Sequence, residues 1–294
     1  MKYACITQHR DSFSLALMCR VLGVAPSGYY AARRRGPSAR ARATAHLRLA
    51  VCAAHHASRR RYGAPMITQH LKRQGIRCGR HRVARLLREA GLQGKATRKF
   101  RVTTRAAAAH PIAPNHLNRT FAPGAIGGLN RVWAADLTFL PTRAGWLYLA
   151  VVLDLGSRRV IGWAMDRTIT RALPLAALQM ALAQRQHPTH VLHHSDRGRQ
   201  YSSAEYQAQL AEAQCTVSMS RKGDCWDNAV VESFFATLKT ELAHDANWAT
   251  RADAQHAVFE YLEVWYNRQR LHSTLGYRTP VEYEAALETG SSAA

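Results

Sequence analysis

Three acidic residues stand where an acid is costly or conspicuous. Asp136 lies in Trp133-Ala134-Ala135-Asp136-Leu137-Thr138, and a carboxylate in an otherwise apolar segment is unfavourable unless it is paired or bound to a cation. Asp196 closes the short run His193-His194-Ser195-Asp196 and precedes Arg197-Gly198. Glu232 lies in Asn228-Ala229-Val230-Val231-Glu232-Ser233-Phe234-Phe235, with 35 residues separating it from Asp196. Any one of them has an ordinary alternative as a salt-bridge partner or helix cap. Brought to one place, three carboxylates repel each other and persist only with a compensating cation; oxygen-only ligands favour Mg²⁺, with Mn²⁺ as a substitute. Two such ions about 3.5–4 Å apart can activate an attacking oxygen and stabilise a leaving one in an in-line displacement at phosphorus. Lys239 follows Glu232 by seven residues, on the same helical face, where a cation can hold a phosphate. Its alternative is a surface ion pair with Glu241 or Asp245.

The elements that must position these residues are legible from apolar patterning. Val132–Leu140 reads as a strand ended by Pro141, Trp146–Leu153 as a central strand apolar on both faces, and Val160–Met165 as a third strand in an antiparallel meander. A helix is expected over Thr170–Gln186, a short strand over Thr189–His193, a helix over Ser203–Gln214 and a fifth strand over Cys215–Met219. Asp227 or Asn228 is expected to cap a helix running to about Leu242, with a further helix over Arg251–Gln269. The order βββαβαβα is that of an α/β, ribonuclease-H-like core with a mixed five-stranded sheet. In that layout the first and fourth strands are neighbours, so Asp136 and Asp196 converge and a helix packed on the sheet delivers Glu232.

Charge separates this region from what precedes it. The 294 residues carry a formal net charge of +22. Residues 1–110 hold 24 Lys/Arg against only Asp11 and Glu89, whereas residues 111–294 hold 17 of each sign. A GC-rich genome explains Arg in place of Lys but not the missing acids, so the N-terminal third points to a polyanion, double-stranded DNA. Its helices fit this. Residues 12–35 read as a helix-turn-helix pattern with Gly23 at the break and Ser27 as N-cap. Helices are expected at about 44–57, 65–73 and 79–90, the last studded with Arg80, Arg82, Arg85 and Arg88. Cys52-x-x-His55 and Cys78-x-x-His81 superficially resemble a zinc site, but read more simply as helical-core residues. The six cysteines are scattered, and no run of 18 apolar residues is present. The chain reads as a cytoplasmic, nucleoid-associated protein with reduced thiols.

At this point the residues resemble a known family. Asn130-Arg131-Val132-Trp133 through Asp136-Leu137-Thr138, the block His194-Ser195-Asp196-x-Gly198-x-Gln200-Tyr201, and Ser220-x-Lys222-Gly223 through Asp227-Asn228-Ala229 to Glu232-Ser233-Phe234-Phe235-x-x-Leu238-Lys239 are similar to the second-frame (OrfB) transposases of bacterial insertion sequences of the IS-three family. The tail Tyr266-Asn267-x-x-Arg270-x-His272-Ser273-x-Leu275-Gly276-Tyr277-x-Thr279-Pro280 and the start Met18-Cys19-Arg20-Val21-Leu22-Gly23-Val24 with Ser27-Gly28-Tyr29-Tyr30 agree. The resemblance implies a retroviral-integrase-like core with Asp136, Asp196 and Glu232 as catalytic and metal-binding triad. It also implies cleavage at inverted-repeat ends to expose a 3′-OH, and attack of that hydroxyl on another phosphodiester without a covalent enzyme intermediate. A homo-oligomer on DNA is expected, since two ends must be joined. The family often fuses this product to an upstream frame; no leucine-heptad segment is found in this sequence, so an OrfA product or fusion is an expected partner.

The expected domains are a helix-turn-helix-like segment at 1–40, a basic helical DNA-binding domain at 41–102, a linker at 103–130, the integrase-like core at 131–245 and a helical extension at 246–294. Arg80, Arg82, Arg85 and Lys239 are the expected DNA contacts. The competing readings are a ribonuclease-H-superfamily nuclease that cuts without joining and a DNA-binding regulator with an inactive core. Tyr266 and Tyr277 lie late enough in the chain for a tyrosine recombinase, but their surroundings fit the transposase tail.

Overall fold

The computed structural model describes residues 1–95, 113–221 and 225–291. The chain divides into two compact units, Met1–Ala54 and His55–Ala294. The first contains α1 (Lys2–Gln8), α2 (Leu15–Leu22), α3 (Pro26–Arg34) and most of α4 (Ala39–Ala57). Ile6, Met18, Cys19 and Tyr29 form its small core. Ser14 caps α2 by accepting from Leu17 N, and Gly23 ends it with φ 60°, a conformation open to a residue without Cβ. The expected cap at Ser27 is displaced: α3 starts at Pro26 with Ala25 as N-cap, because proline's fixed φ and missing N–H suit the first helical position. Helix α1 had no counterpart in the patterning.

The second unit opens with α5 (Ala64–Arg73) and α6 (Arg80–Glu89), a packed pair whose apolar stripes bury Ile67, Leu71, Val83, Leu86 and Leu87. Of the linker expected at 103–130, residues 103–112 lie outside the described residues, and Pro123–Ile126 forms a single helical turn, α7. The sheet follows: β1 (Val132–Thr142), β2 (Gly145–Asp154), β3 (Val160–Asp166), β4 (Leu192–Ser195) and β5 (Thr216–Met219). Its order is β3-β2-β1-β4-β5, with β1, β2 and β3 antiparallel and β4 and β5 parallel to β1. Helix α8 (Ala172–Gln184) covers β2 and β3, α9 (Ala204–Glu212) lies by β5, α10 (Ala229–Leu238) by β1, and α11 (Arg251–Phe259) by β1 and β2; α12 (Pro280–Ser291) ends the described chain. This is the mixed five-stranded, ribonuclease-H-like α/β core expected from the element order. No helix among the described residues is long and apolar enough to cross a membrane.

Three local expectations need correction. Strand β1 does not stop at Pro141 but continues to Thr142. Its pairing with β4 covers only Val132–Ala134, so one edge of β1 is unpaired beyond that point, and a missing N–H there costs nothing. The single helix expected to Leu242 is instead a 3₁₀ turn at Cys225–Asn228, then α10, then a wider π-helical stretch at Lys239–Ala243. Neither proposed cap closes α10 with its side chain. Asp227 is drawn to Arg119 and Arg221, each 2.9 Å away, because a buried carboxylate is satisfied better by two guanidinium groups than by one backbone N–H.

Candidate active site

Register brings the two aspartates together. Val132, Trp133 and Ala134 of β1 lie opposite Leu192, His193 and His194 of β4. Carrying this parallel register on by two residues sets Asp136 level with Asp196, just past the point where β4 ends and the strands part. Parallel neighbours at one level share a face of the sheet, so the carboxylates meet. One oxygen of each is fixed by the backbone: Leu137 N donates to Asp136 Oδ1 (2.7 Å) and Gly198 N to Asp196 Oδ1 (2.8 Å). A side chain at position 198 would crowd Asp196 Oδ1 at 2.9 Å, which accounts for glycine in the block Asp196-x-Gly198.

Behind Asp196, β4 is anchored through His194. Its Nδ1 lies 2.9 Å from Ser218 Oγ and its Nε2 3.2 Å from Ser220 Oγ. Burial holds this imidazole down at about 4, so it is neutral at neutral pH. Arg197 Nε donates to Ser220 O (2.7 Å), tying the loop after Asp196 to the end of β5.

Glu232 stands in the first turn of α10, half-buried. The helix entrance is joined to β1 by Asn228 Nδ2, which donates to Ala135 O (3.4 Å), the carbonyl next to Asp136. Burial pushes the Asp136 carboxyl well above the ordinary carboxylate range; Asp196 and, less strongly, Glu232 add to the rise, while the Leu137 N–H and Lys239 oppose it. Burial likewise raises Asp196 and Glu232. None of the three makes an ion pair with a described residue. Among the described residues, no three His, Cys, Asp or Glu side chains already form a closed metal-ligand set. Asp196 is near enough to raise the Asp136 carboxyl, and Glu232 acts on it more weakly. Half-buried, oxygen-only donors that form no ion pair with a described residue fit a hard divalent cation.

Lys239 begins the π-helical stretch. Its Nζ lies 5.0 Å from the centre of the Phe139 ring, and it interacts favourably with Asp136. The alternative partners are engaged elsewhere: Glu241 accepts from Tyr261 Oη, Trp265 Nε1 and Arg270 Nε, and Asp245 pairs with Lys95 at 3.2 Å. On α6, Arg80 and Arg85 are exposed and Arg82 half-buried; Arg85 makes an i,i+4 pair with Glu89 at 3.5 Å. Tyr266 is buried, its hydroxyl pushed up to about 12 by burial, so it is not poised as a nucleophile.

The sequence assigns no role at this site to Tyr201, which is 1 % exposed, whose hydroxyl lacks a described partner and whose surroundings include both Asp136 and Asp196. Asn228 stands at the N-cap position of α10, but its side chain serves β1 instead, and Phe139 and Trp146 lie in the strands expected of them. The tail motif is structural: Asn267 Oδ1 accepts from Val160 N (3.0 Å) while its Nδ2 donates to Val160 O (2.9 Å), clamping the start of β3.

The fold is that of an integrase-like, polynucleotidyl-transferase core. The integrase core domain family matches residues 128–225, a second integrase core domain family matches 213–280, and an HTH-like domain family matches 42–100. The chain is 46% identical over 286 residues to "Transposase InsF for insertion sequence IS3A" of Escherichia coli (strain K12), covering 97% of this chain and 98% of that protein. It is 43% identical over 266 residues to "Insertion element IS600 uncharacterized 31 kDa protein" of Shigella sonnei, covering 90% and 97%. Among solved structures it is similar to a simian T-cell lymphotropic virus intasome (TM-score 0.45, 17% identity, 78% of this chain and 72% of that one). It is also similar to the HTLV-2 integrase catalytic core domain in complex with magnesium (TM-score 0.40, 16% identity, 54% and 99%). The chain belongs to the IS-three family of insertion-sequence transposases.

Proposed function

We propose that Asp136, Asp196 and Glu232 together form the centre at which this transposase cuts and joins DNA. The observation that carries this reading is the parallel register that sets Asp136 level with Asp196, each with one oxygen fixed by a backbone N–H. The second oxygen of each aspartate would serve as a cation ligand, with Glu232 of α10 as the third. Mg²⁺ held there, or Mn²⁺ in its place, would activate the attacking oxygen and stabilise the leaving one. Lys239, beside Asp136, holds a non-bridging oxygen of the scissile phosphate. The half-buried walls limit water around the carboxylates, which strengthens each of these interactions.

The exposed arginines of α6 supply sequence-independent hold on duplex phosphates. In this division of labour, residues 41–102 hold DNA and residues 131–245 carry the chemistry, with a homo-oligomer bringing two element ends together. An upstream-frame OrfA product or fusion completes end recognition, and the protein acts in the cytoplasm, at the nucleoid. The test is a full-chain reaction on labelled element-end duplexes in Mg²⁺. Both 3′-OH cleavage products and joined strands are expected, and Asp196→Asn is expected to yield neither. Full activity of Asp196→Asn would overturn the assignment; cleavage by the wild type without joining would leave the nuclease reading.

A further inference from the structure

The hairpin that carries Asp136 ends in an unusual surface. Phe139 and Trp146, on the adjoining strands β1 and β2, are 47% and 49% exposed. Their rings meet edge to face with centroids 4.9 Å apart, at an interplanar angle of 82°. Exposing two large aromatic rings side by side forfeits burial that each would gain in a core. The fold nevertheless holds them in place. Arg251 Nε donates to Trp146 O (2.9 Å), fixing the base of that residue from α11. Arg143 in the turn is held by Asn247 Oδ1, 2.8 Å from its Nε. Lys239 Nζ lies 5.0 Å from the Phe139 ring centre.

The surroundings are cationic. Arg143 and Arg251 form no ion pair with a described residue, and Lys239 links the rings electrostatically to Asp136. Exposed aromatic rings bordered by cations, next to a site that must receive a DNA end, match the chemistry of unpaired nucleotides. Bases stack on the rings whatever their sequence, while cations follow the phosphates. A protein partner of acidic surface would use the cations but not the exposed ring surfaces.

We propose that Phe139 and Trp146 form a stacking platform for unpaired nucleobases at the DNA end, with Arg143, Arg251 and Lys239 gripping the adjoining phosphates. The platform captures the end in a frayed state and so feeds a single strand toward Asp136 and Asp196. The inference rests on the reading of those carboxylates as the catalytic centre.

The test uses the full chain, without divalent metal, and two duplex oligonucleotides of one sequence. One is blunt, and the other carries three unpaired nucleotides with 2-aminopurine among them. The wild type is expected to bind the forked duplex more tightly and to change the 2-aminopurine fluorescence by stacking. Phe139→Ala and Trp146→Ala are each expected to lose that preference by about fivefold to a hundredfold, with melting temperatures close to wild type because both side chains are exposed. Should either alanine variant fail to fold, Phe139→Leu and Trp146→Gln replace them, and Trp146→Phe is expected to keep the preference. Unchanged fork preference and fluorescence in the folded variants overturn the platform. Loss of oligomer mass on sedimentation with unchanged fork preference also overturns it and assigns the surface to a second copy of the chain. Asp196→Asn separates the two readings: it is expected to keep the stacking signal while losing cleavage, and its retention of cleavage would condemn the catalytic assignment and not the platform.

Discussion

In the function proposed above, helix α6 and the carboxylate end of the sheet both address DNA, but with opposite physics. On α6 the functional charge is outside: Arg80 and Arg85 are exposed, and the buried side chains Val83, Leu86 and Leu87 only hold the helix in place. Each arginine acts nearly alone, through a screened attraction that tolerates an ångström of error. At the sheet the charge is half-buried, and Asp136 is raised by burial and by the nearby Asp196 and Glu232 together. There a small displacement changes every interaction together. Cations on a helix thus add their contributions one by one, whereas carboxylates at converging strands work as a unit.

The sharpest way to break this comparison is to replace single carboxylates. Asp136→Asn, Asp196→Asn or Glu232→Gln is each expected to lower strand cleavage at least about a thousandfold, and the double variants hardly further, because the ligands act together. Gel assays of end cleavage on singles and doubles check this; additive losses would mean the three acids act independently.

The same substitutions sharpen the comparison through stability. Because burial raises the folded-state values of Asp136 and Asp196, and repulsion from Asp196 raises Asp136 further, the metal-free protein takes up protons on folding above the ordinary carboxylate value of about 4. Its stability is therefore expected to fall as pH rises from that value through the raised folded-state one. Asp136→Asn should flatten this slope and melt at a higher temperature than wild type near neutral pH. Thermal melts in EDTA across the range test it, and an unchanged slope would show that the pair is not strained.

A neighbouring acid gives the contrast within the core. Glu241 is 8% exposed, and its carboxylate accepts from Tyr261, Trp265 and Arg270. It is thus fully partnered where Asp136 is not. Glu241→Gln should cost about 3 kcal/mol, since it leaves the Arg270 guanidinium buried without its counter-charge; urea denaturation measures the loss.

The smallest effect belongs to α6. Arg80→Ala is expected to weaken duplex binding uniformly across sequences and to reduce the slope of log affinity against log salt by about 0.9, one phosphate contact. Arg85→Ala should do less, because Arg85 already shares its charge with Glu89. A sequence-dependent loss at either position would recast α6 as a base-reading helix.

Local signals in the sequence determined much of this protein. Apolar runs gave five strands in order, the scarcity of acids before residue 110 marked the basic third, and three acids in unusual settings pointed to the site proposed here. Gly23 ends α2 where the sequence places the break, because φ freedom acts on the nearest residues. Tertiary structure alone decided the rest, since those partners are distant in sequence and no local pattern encodes them. Asn228 reaches Ala135 across 93 positions and Asn267 reaches Val160 across 107. Asp227 turns from helix cap to guanidinium partner only because Arg119 arrives from 108 residues away. The level pairing of Asp136 with Asp196 depends on how two strands align, and Phe139 and Trp146 stay about half exposed because no described element covers their rings. Composition and periodicity dictate which residues lie inside; the packing of distant segments dictates which polar groups meet and which aromatic rings stay exposed.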